Sequence, residues 1–131
     1  MKRLFLALCV ILSGCATVGM PTQPTKSLAE HTTMELCHFY YSNPSDALRT
    51  EINSRVGFPD AEWQMIDGNR IHAGMSAAAL VCSWGLPTPF GDINRYVGQW
   101  GNDAQWVYRK CRHCEATYVY TEDGIVTSWS D

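Results

Sequence analysis

Gln105-Trp106-Val107-Tyr108-Arg109-Lys110 and Thr117-Tyr118-Val119-Tyr120-Thr121-Glu122-Asp123-Gly124-Ile125-Val126-Thr127-Ser128-Trp129-Ser130 decide the fold. Both stretches are dense in β-branched and aromatic residues, which suit a pleated, half-buried surface. Asp123-Gly124 interrupts the second, and Asp-Gly between two such runs marks a tight hairpin. Residues 93–97 have the same character. Strands are therefore expected over residues 93–97, 105–110, 117–121 and 125–130, joined by connections short enough to demand an antiparallel meander. Gly98-Gln99-Trp100-Gly101-Asn102-Asp103 reads as a longer Gly-rich loop. Trp106, Tyr108, Tyr118 and Tyr120 recur in period two and project from one side of their strands. A core-facing or cross-strand aromatic cluster is the reading favoured for them, and an exposed ladder that grips a partner is the alternative. Trp100 lies in the Gly-rich loop, where a core role explains it less well, so it is the better contact candidate.

Such a sheet needs a cover on one face, and the residues ahead of it supply helices. Ser27-Leu28-Ala29-Glu30 fits a capping box, with Leu28, Leu36, Phe39 and Tyr40 on one helical face. Asn43-Pro44 restarts a helix as cap and first residue. Leu48, Ile52 and Val56 then form an apolar stripe that Gly57 and Pro59 end. Residues 60–75 read as irregular or briefly extended. Ser76 caps a short helix over residues 77–84, ended by Gly85 with Pro87 beyond. The expected fold is α+β in two layers, N-terminal helices packed on a small antiparallel β-meander.

The chain begins with a different grammar. Lys2 and Arg3 precede the apolar run Leu4 to Leu12, and nine residues reach only about 14 Å as a helix, far short of a ~30 Å hydrocarbon core. This is the pattern of a secretory leader. Leu12-Ser13-Gly14-Cys15 resembles a bacterial lipobox, which implies cleavage before Cys15 and a diacylglyceryl group on its sulfur. Each buried methylene contributes about 0.8 kcal/mol, and two or more chains hold a protein stably at a membrane. Ala16 in place of Asp implies onward passage to the outer membrane. The expected organisation is a leader over residues 1–14, a lipid-anchored flexible tether over 15–26, a helical region over 27–60 and an α+β domain over 61–131. The tether is rich in Pro and Thr, and residues 16–26 could span at most about 36–40 Å.

Composition excludes several classes. The chain has 131 residues, enough for one domain, with 46% hydrophobic and 18% charged residues. Removing Lys2 and Arg3 from the ten basic residues leaves eight against thirteen acidic ones. Such a balance, with its cations scattered, cannot track a phosphate backbone, which argues against nucleic acid. Five Trp, six Tyr and four Phe argue against disorder.

Six cysteines occur. Cys9 leaves with the leader and Cys15 takes lipid. Cys37, Cys82, Cys111 and Cys114 remain, an even number in an oxidising compartment, with three pairings open. The favoured pairing is Cys111–Cys114, flanking an Arg112-His113 turn at disulfide distance, together with Cys37–Cys82, linking two predicted helices. A zinc site on Cys111, His113 and Cys114 lacks nearby further ligands. A redox dithiol would want its first cysteine at a helix N-terminus, and these surroundings read as strand and turn.

Gly74-Met75-Ser76, Trp84-Gly85-Leu86-Pro87, Asn94, Gln105-Trp106-Val107-Tyr108, Tyr118-Val119-Tyr120 and Asp123-Gly124-Ile125-Val126-Thr127-Ser128-Trp129 follow one another in order. Behind a lipobox, this succession over residues 66–131 resembles the BamE-like family, also called small protein A or OmlA lipoproteins. The resemblance implies helices packed on a small antiparallel sheet, in an outer-membrane lipoprotein that works by contact. The best-known member is an accessory of the β-barrel assembly machinery, and the same fold occurs in repeats of a secreted β-lactamase inhibitor protein. This chain departs from the pattern in its helical region over residues 27–57 and in Cys111 and Cys114.

No Gly-x-Ser-x-Gly, His-Glu-x-x-His, phosphate-binding glycine loop or dinucleotide fingerprint is present. The sequence therefore leads to a non-catalytic, cofactor-free envelope lipoprotein facing the periplasm, moored by its lipid and acting on a protein partner. The alternatives are an inhibitor or ligand-binding module that uses the sheet face and, more distantly, a periplasmic thiol-redox factor.

Overall fold

Thr32 and Glu35 open the first helix by capping each other. The Thr32 hydroxyl accepts the Glu35 N–H at 3.2 Å, and the Glu35 carboxylate accepts the Thr32 N–H at 2.7 Å. The computed structural model describes residues 19–98 and 101–130. Helices α1 (Thr33–Ser42), α2 (Asp46–Val56), α3 (Asp60–Asp67) and α4 (Ala77–Trp84) precede strands β1 (Asp92–Gly98), β2 (Gly101–Arg109), β3 (Ala116–Glu122) and β4 (Ile125–Ser130). The strands form one antiparallel sheet in the order β1-β2-β3-β4. The fold is α+β, with the helices N-terminal to the strands, as expected.

Four local expectations need correction. The box at Ser27 closes only a 3-10 turn, Leu28–Glu30, in which the Ser27 N–H and hydroxyl both donate to the Glu30 carboxylate. The helix proper starts afresh at Thr32, whose short side chain suits a cap better than a helix interior. The cap of α2 is Ser45, whose hydroxyl accepts the Leu48 N–H at 3.2 Å, so Asn43 and Pro44 lie ahead of the helix. Residues 60–67 are helical, not irregular. Asp60 and Glu62 sit in the first turn of α3, where acidic groups complement the helix dipole, and Trp63 and Ile66, three residues apart, both face the core. Finally, β1 runs to Gly98 and β2 resumes at Gly101, its cross-strand partner, so the Gly-rich loop is mostly strand.

One core joins the two regions that the sequence divides at residue 60. Leu36, Phe39, Ile52, Trp63 and Ile66 pack with Leu80 and Val81 of α4 and with Trp106, Val119 and Val126 of the sheet. Burying one such side chain contributes about 1.5–3 kcal/mol. A polar knot ties α1, α2 and α3 at the rim. The Tyr40 hydroxyl donates to Asp67 at 2.6 Å, Arg49 donates to the same carboxylate at 2.9 Å, and its guanidinium lies 4.3 Å from the centroid of Trp63.

Turn chemistry fixes the rest. Asp123 and Gly124 both have positive φ, 48° and 78°, which is what a two-residue hairpin turn requires. The start of β4 is not a bare edge. Gly74 and Ala77 donate to the carbonyls of Val126 and Gly124, and Val126 donates to Met75, each at 2.8 Å. Ser76 then caps α4 through the Ala79 N–H at 3.1 Å. Among the described residues no helix is long and apolar enough to cross a membrane.

Candidate functional site

The aromatic quartet does not form one cluster. Residues of β2 and β3 face each other as Trp106 with Val119, Tyr108 with Thr117, Val107 with Tyr118 and Gln105 with Tyr120. This register sets even-numbered β2 residues on the same side as odd-numbered β3 residues. Trp106 and Tyr108 therefore face the helices, while Tyr118 and Tyr120 face away from them. Each pair does share one side of its own strand, as alternation requires, but the two pairs lie on opposite faces of the sheet.

The helix-facing pair is structural. The Trp106 indole is buried and donates to the Thr121 hydroxyl at 3.1 Å. The Tyr108 hydroxyl donates to the Gly85 carbonyl at 3.0 Å, and its ring meets Trp84 edge-on at 5.4 Å. Burial pushes the Tyr108 phenol far above its ordinary range.

The opposite sheet face has no helix over it among the described residues. Alternation puts Tyr96, Tyr118, Tyr120 and Ile125 there, with Tyr96 58% exposed and Tyr120 38% exposed. A polar rung crosses the middle of this face. Asn94 donates to Gln105 at 3.1 Å, and Gln105 donates to the Tyr120 hydroxyl at 3.4 Å. Asp103 and Glu122 stand directly opposite each other at one end. Like charges so placed are mutually unfavourable. The face therefore mixes aromatic area, neutral hydrogen-bonding groups and negative charge.

At the other end of the sheet, beside the β2–β3 hairpin, lies a groove of about 1050 Å³. His38, Tyr41 and Trp84 form its helical wall, and Tyr108, Arg109 and Lys110 its strand wall. Gly85 brings the helical side together. Its φ is +75°, and a β-carbon there would lie 2.6 Å from the Tyr41 ring. His38 is buried, its Nδ1 accepts the Leu86 N–H at 3.0 Å, and burial lowers its pKa. None of this wall except Tyr108 stood out in the sequence as a site. The signal available was Trp84-Gly85-Leu86-Pro87, whose Gly-Pro spacing shows an abrupt helix stop but not what packs against it.

Both favoured cysteine pairs are at disulfide distance. Cys37 of α1 and Cys82 of α4 have Cα atoms 4.1 Å apart, and Cys111 and Cys114 have theirs 5.0 Å apart. The second pair closes a turn in which Cys114 N–H donates to Cys111 O at 3.2 Å and Arg109 donates to Cys114 O at 2.8 Å. Among the described residues no three His, Cys, Asp or Glu side chains gather as a metal site. Two other candidates, Cys15 and Trp100, lie outside the described residues.

Comparison with family models, with curated proteins and with solved structures finds no match for this chain.

Proposed function

We propose that this chain is a bacterial outer-membrane lipoprotein of BamE-like type, held at the periplasmic surface by a lipid on Cys15 and acting without catalysis as a contact module in the cell envelope. The observation that carries the contact role is the sheet face over which no helix lies among the described residues, and on which Tyr96 and Tyr120 are exposed. Tyrosine in such a position supplies large contact area at low entropic cost and keeps a hydroxyl for pairing. Support for the anchor is the lipobox-like Leu12-Ser13-Gly14-Cys15 behind a short apolar run. Two cysteine pairs suit an oxidising compartment.

A photocrosslinking amino acid at position 120, in the full chain in intact cells, tests the reading. A discrete protein adduct from position 120, lost when Tyr96→Ala is added, supports contact through this face. Adducts absent at 120 but formed from position 56, on the surface of α2, would move the contact surface elsewhere. The ligand-binding alternative also uses this face, and it is favoured if the adduct carries a small molecule in place of a protein.

A further inference from the structure

We propose that the groove between α1, the α4–β1 loop and the β2–β3 hairpin is a binding site for a small organic anion with an aromatic or aliphatic body. Three features converge on that ligand class. The groove's volume of about 1050 Å³ is just above the roughly 300–1,000 Å³ range of small-molecule clefts, room enough for such a ligand. Trp84 and Tyr108, packed edge-to-face at 5.4 Å, give it an aromatic wall. Lys110, exposed just beyond the end of β2, gives it a cationic rim.

The Lys110 ammonium is available to a ligand. Lys110 forms no ion pair among the described residues, while Arg109, on the other side of its strand, commits one guanidinium nitrogen to the Cys114 carbonyl. Glu115 also lines the groove without pairing to either. Among the described residues Lys110 thus stands unpaired at this rim, in a chain whose overall balance is acidic. A carboxylate or sulfonate at that rim gains complementary charge, and its apolar body gains burial against the aromatic wall.

His38 adds a directional donor. Its Nδ1 accepts from the Leu86 backbone, so the neutral ring carries its proton on Nε2. That nitrogen has no hydrogen-bond partner among the described residues, and it is not among the fully enclosed unpaired atoms either. The residue lines the groove while remaining 94% buried, with a relative exposure of 6%. A ring fixed on one side by the backbone and unpaired on the other is a preset donor for an acceptor oxygen.

The test is NMR titration of the folded domain in its native full chain, solubilised in detergent. The probes are 1-naphthaleneacetate and its neutral isostere 1-naphthaleneacetamide. Saturable shifts are expected at the Trp84 indole N–H and the Leu86 amide, with the carboxylate binding about tenfold tighter than the amide. Lys110→Glu, on an exposed side chain, should weaken the carboxylate about five- to tenfold and leave the amide unchanged. Arg112→Glu, the same charge change on a residue that does not line the groove, should alter neither by more than about twofold. Equal affinity for both probes, or equal effects of the two charge reversals, would overturn anion recognition. Saturable shifts confined to other surfaces, or no saturable binding, would overturn the site.

Discussion

Cys37 and Cys82 lie with Cα atoms 4.1 Å apart although 45 residues separate them in sequence, and they bind α1 to α4 through the middle of the core. Cys111 and Cys114 are separated by only 3. In the chain-entropy view, a cross-link stabilises by restricting the unfolded chain, and more so for a longer loop. Replacing Cys37 and Cys82 by alanine should lower unfolding free energy by about 4 kcal/mol, and replacing Cys111 and Cys114 by about 2 kcal/mol. Urea unfolding of the two double variants checks the order. A larger loss from the hairpin pair would refute it.

The approach of Tyr41 to Gly85 makes a second prediction. Gly85→Ala must place a methyl 2.6 Å from the Tyr41 ring and hold an L-residue at φ +75°. Strain of that kind costs on the order of 1–3 kcal/mol. Thermal unfolding should show the loss, and Tyr41→Ala combined with Gly85→Ala should recover the steric part of it.

Thr121→Val keeps shape but removes the acceptor of the buried Trp106 indole N–H. An unpaired buried donor costs about 1–3 kcal/mol. Thr121→Ser, which retains the hydroxyl, should lose much less. If valine and serine destabilise equally, the hydroxyl is not the acceptor that matters.

Two histidines should titrate on opposite sides of an ordinary imidazole. The hydrogen bond to Glu62 at 2.6 Å raises the pKa of His72, with the Ala73 carbonyl assisting, while burial lowers that of His38. The His72 contribution to stability is complete below the unfolded pKa, near 6.5, and is lost as pH rises through the folded value. The His38 contribution runs the other way. It is complete above about 6.5 and declines below it, because the unfolded chain takes up a proton that the folded ring resists. Imidazole NMR titration measures the order directly. His38→Gln should flatten the acid side of the stability profile and His72→Gln the alkaline side.

Much of this fold was legible because its signals are local. Ser76, the apolar run to Trp84 and Gly85 bound α4 as expected, and Asp123-Gly124 makes the hairpin. The misses also have local causes. Two-turn α3 is too short to show a period, and Thr32-Thr33 reads as a weak helix interior until its partner Glu35 is seen as a cap. The aromatic quartet needed information that no single strand holds. Period two puts Trp106 with Tyr108, and Tyr118 with Tyr120, but the register between β2 and β3 decides whether the pairs share a face. The groove was hidden for the same reason, since His38, Trp84 and Arg109 meet only through tertiary packing.

Intact mass spectrometry of the protein extracted from bacterial envelopes tests the proposed anchoring most directly. The expected species begins at Cys15 and carries diacylglyceryl and acyl mass, and Cys15→Ser should release the domain from sedimenting membranes. A mature chain without lipid mass, or a Cys15→Ser variant that still sediments with envelopes, would contradict a lipid-moored contact module.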